Sequence, residues 1–203
     1  MVKSLYEHLN KLSDPPKKRF VDNFTGRELD DKIWATSGNM AVTPNDEIDG
    51  GMHCDGVSGW SDLHQGNICH FSNPCSVIWG IRITRSNQTN QWGAGMIGEI
   101  PYAGSGMYAT ATYGSGASAY VQMVTRNSTG QANGVMTSMP FKGTYNWHKY
   151  QCDALSTHCQ TLIDDMLEVT STSKIPDSDM MPFLYCYNSI TELDCNYCEA
   201  WNV

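Results

Sequence analysis

The chain has 203 residues, 40% hydrophobic and 17% charged, which suits one sizeable domain and excludes a disordered chain. Thirteen basic against twenty-one acidic residues leave a formal charge of −8. That argues against a nucleic-acid binder working through phosphate contacts and against a polybasic membrane anchor, and no run of eighteen apolar residues has the length of a membrane-spanning helix.

Residues 3–13 are expected to form a short helix, with Leu5, Leu9 and Leu12 near helical spacing. Asp14-Pro15-Pro16 ends it, because proline removes a donor and restricts the residue before it. Lys17-Lys18-Arg19 reads as a solvated linker or as a tether to an acidic partner. A helix this short is marginal alone. Leu5, Leu9, Leu12, Pro15 and Pro16 are therefore read as an arm that docks on the body, on a sister subunit or on a larger assembly. Met1 to His8 contains no apolar core of a signal peptide, so the expectation is synthesis in a cytoplasm without secretion.

From Phe20 onward the texture is β. Strands are expected over 76–84, 95–100, 119–125, 147–153, 159–163, 166–170, 182–187 and 193–201, with two or three more between Tyr102 and Tyr120. Asp164-Asp165 reads as a hairpin turn. About a dozen strands, no second helix and no internal repeat predict an all-β, two-sheet antiparallel sandwich over 20–203, behind an arm of 1–19.

Eight cysteines without a secretion signal are expected to be reduced and buried, free thiols acting as small hydrophobes. Cys54, Cys69 and Cys75 with His53, His64 and His70 form a Cys/His-rich stretch, but the spacing matches no standard zinc finger. No nucleophile elbow or phosphate-binding loop occurs, and no cofactor or metal is assigned. Trp60, Trp92, Tyr102, Tyr108 and Tyr113 are candidate glycan contacts, since aromatic faces stack on sugar rings. The same residue types serve equally as core or as protein–protein anchors.

Four groups of residues occur in a recognisable order. They are Asp22-Asn23-Phe24-Thr25-Gly26 with Leu29-Asp30 and Trp34; Trp147-His148-Lys149-Tyr150 followed by Leu162-Ile163-Asp164-Asp165; Ile175-Pro176 with Met181-Pro182-Phe183-Leu184; and the stretch from Leu193 to Asn202. This order resembles the concanavalin A-like lectin/glucanase (laminin G-like) jelly rolls over roughly residues 20–202. The resemblance implies two antiparallel sheets packed face to face. Cys152, Cys159, Cys195 and Cys198 stand where such proteins carry apolar residues. Cys195 and Cys198, three apart in a strand, are expected to point to opposite faces. Cys152 and Cys159 flank one hairpin and are the pair placed for a disulfide in oxidising surroundings.

Catalytic relatives carry a Glu-x-Asp-x-x-Glu strand, and retaining hydrolysis needs two carboxylates about 5 Å apart. The nearest string here, from Glu47 and Asp49 to Met52, replaces the final Glu with Met, and Glu99 has no following carboxylate. No catalytic residue is assigned. The first reading is a non-enzymatic structural or attachment protein of a virus particle, a head decoration or fibre module. It would be localised to the virion, partnered by capsid subunits and host-surface glycan, and homo-oligomeric. The alternative is a cellular carbohydrate-binding lectin, and a third reading is a glycoside hydrolase.

Overall fold

β-branched and aromatic residues alternating with small or polar ones give the sheets their two faces. The computed structural model describes residues 18–25, 29–38, 40–44, 51–55, 60–66, 70–85, 91–99, 104–113, 119–133, 146–187 and 192–203. They contain fifteen strands and no helix. In chain order these are β1 (Arg19–Asp22), β2 (Ala35–Ser37), β3 (Ala41–Pro44), β4 (Met52–Asp55) and β5 (Trp60–His64). Next come β6 (Cys75–Arg85), β7 (Gln91–Ile97), β8 (Gly106–Tyr113), β9 (Ala119–Asn127) and β10 (Gly130–Asn133). The last are β11 (Trp147–Ala154), β12 (Cys159–Ile163), β13 (Met166–Ser171), β14 (Met181–Tyr187) and β15 (Glu192–Asn202). The arm residues Leu5, Leu9, Leu12, Pro15 and Pro16 lie outside the described residues.

The strands form two antiparallel sheets. One has eight strands, in the order β13-β12-β11-β6-β15-β4-β3, with β1 also paired to β15. The other has seven, in the order β10-β9-β8-β7-β14-β5-β2. The expected all-β sandwich is therefore what the chain forms.

Between the sheets lies one core. Strand β6 sends Val77, Trp79, Ile81 and Ile83 into it, and β7 answers with Trp92, Ala94 and Met96. Burying a large apolar side chain contributes ~1.5–3 kcal/mol, so this alternation fixes which face of each strand turns inward. The opening Asp22…Trp34 residues clasp one part of the core. Trp34 Nε1 donates to Asp22 Oδ2 at 2.7 Å, and its ring lies 5.4 Å from Phe24 and 5.7 Å from Trp79.

One irregularity matters for the surface. The pairing of β15 with β6 shifts register between Cys195 and Tyr197. The bulge at this point resets the alternation. Cys195 and Cys198 both face the core, contrary to the expectation that their sulfurs diverge. Asn196 and Tyr197 are only half-buried on the outer side.

The Cys152–Cys159 disulfide is not formed. Both are free, buried thiols; Cys152 stands across from Thr161 and Cys159 from Ala154, so the register sets neither opposite the other. Burial pushes the Cys75, Cys152 and Cys159 thiols up to about 12.

Candidate functional site

On the outer face of the eight-stranded sheet, β6 presents Ile78, Gly80 and Arg82, because Val77, Trp79, Ile81 and Ile83 face inward. Gly80 pairs with Lys149 of β11 on one side and with Tyr197 of β15 on the other. A glycine between two side-chain-bearing neighbours leaves a trough, and the β15 bulge raises its wall. The result is a groove of about 570 Å³. Ile78 and Gly80 line it together with Trp147, His148 and Lys149 of β11, Asp164 of the β12–β13 turn, and Asn196, Tyr197 and Glu199 of β15.

The groove is built by mutual support. Asp164 and Asp165 both have positive φ, at 51° and 67°, which is the two-residue hairpin turn expected there. That turn aims Asp164 back at β11. His148 Nδ1 donates to Asp164 Oδ2 at 2.7 Å, and the Lys149 backbone NH donates to Oδ1 at 2.9 Å. Burial raises the Asp164 pKa, but these hydrogen bonds outweigh it and hold the carboxyl below its ordinary value. Lys149 Nζ pairs with Asp165. On the opposite wall Arg19 Nε donates to Glu199 Oε1 at 2.7 Å, and the Tyr197 hydroxyl donates to Glu199 Oε2. Burial and the Glu199 carboxylate push Tyr197 up to about 12, so it remains a donor. The Arg82 guanidinium lies 5.3 Å over the Trp147 ring and is fixed by Asp194 Oδ2, at 2.8 Å to Nε and 2.6 Å to Nη2. Chemically, this is an aromatic wall over a side-chain-free floor with two carboxylates and an amide around it.

The other sheet's outer face differs. Ile97, Tyr108, Val124, Met181, Phe183 and Tyr185 form a second buried cluster there, separate from the core between the sheets. The seven strands of this sheet carry a single carboxylate, Asp62, which is 1% exposed. It accepts from Ser37 Oγ at 2.5 Å and from His64 Nδ1 at 2.6 Å. A two-carboxylate strand is therefore missing from β7, β8 and β9.

The glycan-contact candidates fare unequally. Trp92 is 1% exposed, packed edge-on against Tyr150 with ring centroids 4.8 Å apart, because β7 turns it into the core. Tyr108 is also buried, edge-on to Phe183 and Tyr185. Neither is an exposed stacking platform. Trp60 lies on β5 and Tyr113 on β8, but the surroundings of their side chains, like Tyr102 as a whole, lie outside the described residues. Glu47 and Asp49 do too, while Met52 is core. Glu99 sits exposed just beyond β7. His53 and His64 each bind a carboxylate, and among the described residues no three His, Cys, Asp or Glu gather as metal ligands. The groove residues were missed as a site. Their one sequence signal is Gly80 inside a strand run, which marks a bulge or a close approach.

No family model matches the chain, and no curated protein matches it in sequence. Solved structures do match. The β-glucanase of Bacillus licheniformis superposes with TM-score 0.69 at 12% identity, over 91% of this chain and 98% of that one. The endo-β-1,3-glucanase of Pyrococcus furiosus gives 0.67 at 11% identity, over 90% and 93%. Carbohydrate binding module CBM66 of Bacillus subtilis gives 0.57 at 15% identity, over 81% and 92%. The fold is the concanavalin A-like jelly roll of lectins and glucanases. One expectation is corrected by these neighbours. They are glucanases and other glycoside hydrolases with carbohydrate-binding domains beside them, so the reading of a non-enzymatic virion component is withdrawn.

Proposed function

We propose that this chain is a carbohydrate-active protein that acts on a polysaccharide, and that a sugar ring seats in the groove over Gly80. The observation behind this reading is the groove itself: Trp147 and Tyr197 stand beside a floor without a side chain, with Glu199 and Asp164 as hydroxyl acceptors. Glucanase and carbohydrate-binding neighbours support the substrate class.

The test is a panel of soluble β-1,3-glucan and mixed-linkage β-1,3-1,4-glucan, read by calorimetric binding and by release of reducing ends. Binding that falls at least tenfold in Trp147→Ala is the expected result. Release of reducing ends that persists unchanged in Trp147→Ala would place any cleavage outside this groove. Absence of both binding and release across the panel overturns the reading. Binding untouched by Trp147→Ala moves the site elsewhere.

A further inference from the structure

The bulge in β15 does more than raise a wall. It puts Asn196 on the outer face directly above Gly80. A methyl group on Gly80 would lie 2.3 Å from Asn196 Oδ1 and 3.5 Å from Cγ. The amide oxygen is therefore turned down onto the glycine, and Nδ2 points away from the floor. The Asn196 side chain makes no hydrogen bond to the described residues, whereas the groove's carboxylates and cations are already engaged with one another. An amide nitrogen carries two donors.

We infer that Asn196 is the groove's specificity residue, donating from Nδ2 to a hydroxyl of an uncharged sugar, and that Gly80 is the positioning residue that lets it lie there. This rests on the reading of the groove as a glycan site. A sugar hydroxyl is both donor and acceptor, so it is satisfied by Asn196 on one side and by a carboxylate such as Glu199 on the other. A carboxylated or sulfated sugar brings its charge against Glu199 and Asp164, which disfavours it.

The experiment compares wild type, Asn196→Ala, Gly80→Ala, the double variant and Trp147→Ala against soluble mixed-linkage β-glucan and its carboxymethylated derivative, with melting temperatures as folding controls. Asn196→Ala is expected to weaken binding of the neutral glucan roughly three- to tenfold, the worth of one hydrogen bond. Gly80→Ala should do the same by displacing the amide, and the double variant should be no worse than either single one. The carboxymethylated glucan should bind wild type more weakly than the neutral one. If Trp147→Ala abolishes binding while Asn196→Ala and Gly80→Ala match wild type, the inference falls and the groove reading stands. Additive losses in the double variant also overturn it, since they uncouple the two residues. If wild type binds no glucan, or Trp147→Ala binds normally, the groove reading falls and takes this inference with it.

Discussion

Cys195 and Cys198 share one face of β15 although three residues separate them, because the bulge between them takes up one residue. Both sulfurs lie in the core with Cys54 and Cys186. The Cys54 hydrogen bond and burial raise Cys195, and burial raises Cys198 and Cys186. A thiol near 12, such as Cys152, holds roughly one thiolate in ten thousand at pH 8. Buried in the folded chain, seven of the eight cysteines, all but Cys69, should stay unlabelled by iodoacetamide at pH 8 in the native protein and be labelled in denaturant. Native labelling of Cys152 or Cys195, read by peptide mass spectrometry, would contradict the packing.

Arg82 and Asp194 form the most deeply set ion pair that touches the groove wall. The Asp194 side chain is 1% exposed and also accepts from His53 Nδ1 at 2.8 Å. Removing one partner of a buried pair leaves a charge without compensation and costs about 3–5 kcal/mol, whereas removing both costs less. Arg82→Met should lower the melting temperature by roughly 6–20 °C, at about 2–4 °C per kcal/mol for a chain of this size. Arg82→Met with Asp194→Leu should recover part of that loss. A single variant that melts within a degree of wild type would show that the pair contributes nothing.

Most of the strand pattern was legible because period-two burial writes itself into composition. The run 75–85 alternates core and surface residues, and the Asp164-Asp165 turn carries residue types that tolerate positive φ. The groove was not legible. A bulge adds one residue without a compositional mark, so strict alternation placed Cys195 and Cys198 on opposite faces. Trp92 and Tyr108 failed as surface aromatics for a different reason. Alternation says that neighbours in a strand face opposite ways, but not which way is in, nor that the outer face of the seven-stranded sheet would hold a second buried cluster.

Two glycines in strands should respond to alanine very differently. A Cβ on Gly95 would lie 2.2 Å from the Met107 carbonyl oxygen and 2.5 Å from Tyr108 Cα, so β7 and β8 would have to separate. On Gly80 the nearest atom is the end of the Asn196 side chain, which can rotate away. Gly95→Ala should destabilise by about 1–3 kcal/mol or more, the range for forcing extra atoms into a packed region. Gly80→Ala should stay within about 1 kcal/mol of wild type. Urea unfolding distinguishes them, and equal midpoints would mean that the β7–β8 spacing is not as close as it stands here.

Asp177 links the segment before β14 to the loops around β8 and β9. It accepts from the Ser128 hydroxyl, from the Ser128 backbone NH at 3.0 Å and from Ser105 Oγ at 2.9 Å. The Ser128 hydrogen bonds, followed by Ser105, hold its carboxyl below the ordinary value. A carboxyl depressed in the folded state contributes stability that is fully present above its unfolded pKa, about 3.9, and is lost as pH falls through the lower folded value. Asp164 has the same sign. Melting temperatures followed from pH 6 down to pH 2 should fall most steeply below about pH 4. Asp177→Asn should melt lower than wild type at pH 6, and the gap should close as the acid protonates the wild-type carboxyl. Curves that run parallel from pH 6 to pH 2 would mean that Asp177 binds its proton equally in the folded and unfolded chains, and that the serine hydrogen bonds do not favour the ionised form.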